Sequence, residues 1–304
     1  MSASNVAVAT GLIRRMELPI FFFAVGVIMS GAMVLLAATG DENFALIGVV
    51  LLGPSVTAVL LTALIIGRTG LRQLLVKQMT FRFGIRWYLI AFLLIPAFAS
   101  IAVGLRTLFG GSDVAPDIDY SLSAVLPEIA PILIVTLIIS LAEEFGWRGY
   151  ALPRLQLRLN ALQASLVLGA LWGLWHFPGF LAGTGVPEDM PFYVFMLWVV
   201  PATVLITWVY NNTGSVVTAI GMHTAANFSF NAFPLLPQMT GTGGLATFWI
   251  FLGVLWATTI AIVIVFGPTH LSRSQPRATI GVSADKQNGT GCERLVGHDR
   301  CRVQ

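Results

Sequence analysis

Two adjacent glutamates, Glu143 and Glu144, and the arginine Arg148 end an apolar run in "LIISLAEEFGWRGY", Leu137 to Tyr150. Ionisable side chains inside such runs are costly unless they are paired or face an aqueous cavity, so each marks a candidate for function. Away from the ends of apolar runs the ionisable set is small: these three, His176 in "LWGLWHFPGF" and His223 in "AIGMHTAANFSF". The chain has four histidines, and two of them are embedded in this way.

The spacing assigns chemistry to each group. Thr136, Ser140, Glu143 and Glu144 recur at intervals of three and four, which predicts one polar stripe facing inward on an otherwise apolar helix. Glu144 and Arg148 stand at i and i+4 with the glutamate first, the favourable order for an ion pair that neutralises itself. Glu143 points about 100° away from Glu144 and has no such charged partner, so it is the carboxylate left for chemistry. His176 follows Glu143 by 33 residues, and their midpoint falls between Leu159 and Asn160 in the connection "PRLQLRLNA". An antiparallel helical hairpin turning there places the two side chains at one depth. His223 and Asn227, again at i and i+4, share a helix face that Asn231 continues. A carboxylate, two imidazoles and a carboxamide thus converge from three helices. A carboxylate in a water-poor cavity is a better base near neutral pH than one in water. Imidazole and carboxamide N–H groups suit a developing oxyanion.

Each group alone has a structural reading. The Glu-Glu-Arg set could be an interfacial ion-pair cluster, His176 could donate to a backbone carbonyl, and His223 with Asn227 could be interhelical hydrogen-bond glue worth about 1 kcal/mol. Their joint occurrence favours a site. Zinc is the alternative within enzyme chemistry, because two histidines and a glutamate form a known ligand set. The chain lacks HExxH, however, and the charge of Arg148 beside the would-be ligand opposes a cation. Chemistry without a metal or other cofactor is the expectation.

The elements that must position these residues follow from composition. The 304 residues are 56% hydrophobic and 10% charged, with mean hydropathy +0.83, too apolar for a surface that faces water. The fold class expected is an all-α integral membrane protein. A hydrocarbon core about 30 Å thick needs roughly 20 apolar residues per helix, and eight runs qualify: Leu18 to Ala38, Phe44 to Ile66, Trp87 to Leu108, Leu126 to Phe145, Ala161 to Ala182, Phe192 to Tyr210, Ser215 to Phe233 and Leu245 to Phe266. They are continuously apolar, whereas barrel strands alternate. Pro19, Pro54, Pro96, Pro131 and Pro201 fall in these spans or at their ends, as membrane helices allow.

Charge sets the expected orientation. Arg14 and Arg15 precede the first span, Arg68, Arg72, Lys77, Arg82 and Arg86 fill the second connection, and Arg148, Arg154 and Arg158 the fourth. The intervening loops carry Asp41, Glu42, Asp113, Asp117, Asp119, Glu188 and Asp189 without lysine or arginine. Both termini are therefore expected in the cytoplasm, with Glu143 and Glu144 at the cytoplasmic end of the fourth span. No cleavable signal is recognisable before the first span, which is expected to be retained. Residues 1–268 form the expected membrane domain, and 269–304 a polar, disordered cytoplasmic tail holding Cys292 and Cys301, with no disulfide expected there. Tyr150, Tyr210 and Trp208 are expected in an interfacial aromatic belt.

Three ordered motifs carry a resemblance. "EEFGWRGY" has the form EExxxR, "WGLWH" is a variant of FxxxH with Trp172 in the aromatic place, and "HTAAN" is HxxxN. Together, over residues 126–230, they resemble the CPBP family of type II CAAX prenyl endopeptidases and bacterial relatives tied to bacteriocin processing or self-immunity. The resemblance implies a plasma-membrane endopeptidase that cuts a peptide bond near the cytoplasmic face. Glu143 and His176 would hold and activate a water, His223 and Asn227 would stabilise the oxyanion, and Glu144, Arg148 and Trp172 would support them. The partners implied are the bilayer and a peptide or protein substrate, lipidated or not, with no nucleic acid. Two non-protease readings stand beside it: a proton-coupled transporter with Glu143, His176 and His223 as relay, against which the lack of an internal repeat counts, and a non-catalytic immunity or scaffold membrane protein.

Overall fold

The computed structural model describes residues 3–39, 43–110, 122–187, 190–236 and 245–273. The acidic residues of the three acid-rich loops and both cysteines lie outside them, as does the expected tail from residue 274 onward. All regular elements among the described residues are helical: α1 (Ala3–Thr39), α2 (Phe44–Ile65), α3 (Arg68–Arg72), α4 (Ile85–Leu108), α5 (Leu122–Glu144), α6 (Leu152–Leu155), α7 (Ala161–Trp175), α8 (Phe177–Ala182), α9 (Phe192–Thr213), α10 (Val216–Ala232) and α11 (Ala246–Phe266). Two π-helical segments, Gln73–Lys77 and Phe145–Ala151, extend α3 and α5.

Among the described residues seven stretches are long and apolar enough to cross a membrane. The seventh expected span, Ser215 to Phe233, is not one of them: it corresponds to α10, which at 17 residues is shorter than the others and carries His223, Thr224, Asn227, Ser229 and Asn231. Such a helix is stable in a bilayer only where protein covers it. It lies against α4, α5 and α9, with His223 and Thr224 buried. Around it the bundle is apolar outside and polar inside. On α5, Leu133, Ile134, Val135, Leu137 and Ile138 are exposed while Thr136, Ser140, Glu143 and Glu144 are buried, so the expected inward stripe is present. Helix α9 is the central element, buried along most of its length between α7, α10, α11 and α4. Pro19, Pro54, Pro96, Pro131 and Pro201 all sit inside helices.

The structure corrects three expectations. The fourth span does not end at Phe145: it runs Pro127–Leu155 through the second π-helical segment. Glu143 therefore stands 12 residues before its end. The helices bearing Glu143 and His176 do not form a closely packed pair. Helix α5 packs chiefly on α10 and α2, and α7 on α9. Tyr150, Trp208 and Tyr210 are buried, not arrayed as a lipid-facing belt; Tyr210 donates its hydroxyl to Gln78 and Tyr150 packs against Phe21 and Arg154.

One end of the bundle is tied together by polar contacts. Glu17 of α1 pairs with Arg154 of α6 at 3.0 Å. The carbonyls of Pro268 and Thr269 accept from the first N–H groups of α7, and those of His270 and Leu271 accept from Asn211 and Asn212 at the end of α9. Residues 268–271, where the polar tail was expected to begin, are thus strapped to the bundle.

Candidate active site

The site begins where α5 changes winding. After Glu144 the chain adopts the wider π-helical turn from Phe145 to Ala151. Such insertions are uncommon and recur at functional sites. Gly146 and Gly149 let other elements approach this turn. A Cβ at Gly146 would lie 2.5 Å from the backbone carbon of Pro54 in α2, and one at Gly149 would meet Leu74 at 3.0 Å.

Glu143 is 3% exposed. Its Oε2 accepts two indole N–H bonds, from Trp147 and from Trp172, each at 3.1 Å. Both donors converge on one oxygen, and Oε1 is left without a protein donor. Neutral donors fix the carboxylate without cancelling its charge. Trp147, at i+4, is the local partner that charge pairing alone overlooks.

Glu144 and Arg148 are fully buried and paired, Oε1 to Nη1, at 2.7 Å, as their spacing predicts. The same Oε1 accepts from Nδ1 of His223 at 2.8 Å, so the pair is also the anchor of the α10 histidine. The Arg148 guanidinium lies 4.8 Å from the centre of the Trp172 ring. The Oε2 of Glu144 and the Nε and Nη2 of Arg148 have no partner within the protein.

His176 caps α7 where the helix breaks: Phe177 opens α8, and Pro178 in its first turn has no N–H to give to the preceding turn. Its Nδ1 donates to the carbonyl of Trp172 at 2.9 Å. A neutral imidazole holding its proton on Nδ1 has its lone pair on Nε2. Trp175, at 4.8 Å between ring centres, and Phe195, at 4.9 Å, wall the ring, which remains only partly buried. His223 likewise has Nδ1 committed, here to a carboxylate, and Nε2 unengaged; its ring meets Trp172 edge to face at 5.1 Å.

Trp172 is therefore the hub. Its indole holds Glu143, its carbonyl holds His176 and its ring contacts Arg148 and His223. The sequence offers it as an aromatic wall; the structure makes it a hydrogen-bonding residue that links α5, α7 and α10. Asn227 lies one turn beyond His223 on α10, half-buried. Its carbonyl accepts from Asn231 at 2.8 Å, and its own side-chain amide makes no bond within the protein. Among the described residues no three His, Cys, Asp or Glu side chains are grouped so as to hold a metal ion. The arrangement offers one carboxylate oxygen and the Nε2 atoms of two imidazoles, none engaged by the protein, in a largely apolar surround. Chemically, that suits proton abstraction from water or a hydroxyl.

Comparison with known proteins bears on this region. The family model described as "Type II CAAX prenyl endopeptidase Rce1-like" matches residues 125–229, which contain Glu143, Glu144, Arg148, Trp172, His176, His223 and Asn227. A protein of Methanococcus maripaludis named "CAAX prenyl protease 2" is 32% identical over 149 residues, 46% of this chain. The match spans about half, 54%, of that relative's length.

Proposed function

We propose that this chain, whose residues 125–229 match the Rce1-like family model, is an intramembrane endopeptidase that uses Glu143 as general base on a water molecule. The observation that carries this is the one-sided clamp on Glu143: two indole donors on Oε2, none on Oε1. The water would lie between Oε1 and the Nε2 of His176, both acceptors, and attack the scissile carbonyl as its proton passes to Glu143. The resulting oxyanion would be held by Nε2–H of His223 and the amide of Asn227. Since Nδ1–H of His223 is given to Glu144, Nε2 donates to the oxyanion only in the imidazolium form. Collapse breaks the C–N bond, and Glu143 returns the proton to the leaving amine. The relative's name supports a CAAX-type peptide as first substrate to try, prenylated or not; a bacteriocin-type leader is the second. The basic connections support a site toward the cytoplasmic side of the plasma membrane.

Purified protein in micelles with a farnesylated peptide ending in a CAAX sequence tests the proposal, with product masses as readout. Glu143→Gln keeps the shape and the indole contacts but cannot take a proton, so the rate should fall by 10²-fold or more. Retention of more than about a tenth of the rate would remove Glu143 from this role. The reading needs no metal. One observation favours the zinc alternative: both histidines have Nδ1 anchored and Nε2 open, as metal-bound histidines do. Turnover unaffected by strong chelators fits water activation by Glu143, whereas reversible loss with stoichiometric zinc in active protein fits the metal.

A further inference from the structure

Gln78 stands outside the segment that matches the family and outside every motif singled out in the sequence. It is a polar side chain only 4% exposed. It closes the first π-helical segment, in the basic connection between α2 and α4, its N–H bonding to the carbonyl of Gln73 at 3.3 Å. From there it reaches three elements. Nε2 donates to the carbonyl of Gly149 in the second π-helical segment at 3.0 Å. Oε1 accepts the Tyr210 hydroxyl of α9 at 3.1 Å. Its backbone carbonyl accepts the N–H of Val216, the first residue of α10, at 2.9 Å, and the Ser215 hydroxyl at 3.3 Å.

Two of those elements carry the site. Gly149 follows Arg148, and Val216 lies two turns before His223 on one helix. The Glu144 carboxylate must meet Arg148 from its own helix and His223 from α10 at 2.7 and 2.8 Å, so a small sliding of α10 against the π-helical turn breaks one bond or strains the other. A buried amide whose donor and acceptor are both engaged is a rigid spacer, because either group left unpaired would have been stripped of water without compensation. Gly149 lacks a side chain at the point of closest approach, where a Cβ would press on Leu74.

We propose that Gln78 is a positioning residue: it fixes the register between the π-helical turn bearing Arg148 and the helix bearing His223, and through it the His223–Glu144 bond. This rests on the proteolytic reading for its kinetic consequence but not for its structural one.

The test uses the full-length protein in micelles, with Gln78→Met, close in length but lacking both polar groups, and Tyr210→Phe, which removes only the hydroxyl on Oε1. Two quantities are read: the proton resonance of His223 Nδ1–H, far downfield in a short bond to carboxylate, and kcat and KM on the farnesylated CAAX peptide. The expected result is a shifted or broadened resonance in Gln78→Met, kcat lower by about 10-fold or more with KM unchanged, a smaller effect in Tyr210→Phe, and no further loss in the double variant. A folded Gln78→Met with the wild-type resonance and kcat overturns the inference. So does a fall in thermal stability alone with the resonance unmoved. If Gln78→Met does not fold, Tyr210→Phe is judged on the same two readouts. If wild type cleaves no peptide while the resonance still moves in Gln78→Met, the positioning role stands and the proteolytic reading fails.

Discussion

Glu143 and Glu144 are neighbours in sequence with opposite assignments, and partner chemistry separates them. Glu144 has a cation and an imidazole on one oxygen, while Glu143 has two neutral indoles. That difference predicts distinct variants. Trp172→Phe keeps a ring over His223 and Arg148 but removes one of the two donors to Glu143. Hydrolysis should slow, with kcat affected more than KM, as for a group that aims the base. Asn227→Ala should lower kcat by about 10²-fold or more as the loss of an oxyanion donor. A fully active Asn227→Ala protein would deny that role. Both effects are read in steady-state kinetics on the same peptide. The charged residues were legible in sequence because an apolar chain makes every charge conspicuous. The indole and carbonyl bonds of Trp172 were not, because they depend on where α7 lies relative to α5. Trp147 could have been found: it stands at the same i+4 spacing from Glu143 that identified the Glu144–Arg148 pair.

At the scale of elements, the seven long spans could be placed to within a few residues at most ends, because each is a run of apolar residues bounded by charge or turn-forming residues. The fourth was cut short since "EEFGWRGY" reads as polar punctuation, whereas its charges are compensated inside the bundle and the helix continues through them. A π-helical turn leaves no periodicity signal over seven residues. Glu143 and His176 are linked through Trp172, with Trp147 packed on Trp175 at 5.7 Å, rather than through α5 lying along α7. The turn itself depends on Gly146. Its missing Cβ would stand 2.5–2.6 Å from the carbonyl carbon, oxygen and Cβ of Pro54, and backbone cannot yield as a flexible side chain does. Gly146→Ala should therefore destabilise the protein by about 1–3 kcal/mol. Gly104→Ala, with open space around the new methyl, should be neutral or stabilising by up to about 1 kcal/mol. Thermal unfolding in detergent compares them, and equal midpoints would mean that α2 and the π-helical turn are not packed as described.

For the whole molecule, the ties at one end of the bundle constrain how the chain crosses the bilayer. Glu17, early in the first span, meets Arg154 at the end of the fourth, and residues 268–271, beyond the last, bind the start of α7 and the end of α9. The beginning of the first span and the end of the last therefore lie at the same end, which requires an even number of crossings. The seven long spans among the described residues are an odd number, and α10 as an eighth crossing, its short length compensated by the helices that cover it, is the reading that agrees with this arrangement. The same end carries Arg68, Arg72, Arg82, Arg86 and Arg158, all exposed, and lysine and arginine in short loops hold a connection in the cytoplasm. Reporters fused after Lys77, Leu155 and Ser274 should accordingly signal cytoplasm, and those after Asp41, Asp117 and Glu188 the opposite side. The decisive position is Asp117. A cytoplasmic signal there would invert the fourth span, put the strapped end outside the cell, and oblige substrates to reach Glu143 from the other face of the membrane. In the proposed orientation Glu143 lies 12 residues along the helix from Leu155, so the proposed peptidase would have to admit a cytoplasmic peptide into the bundle.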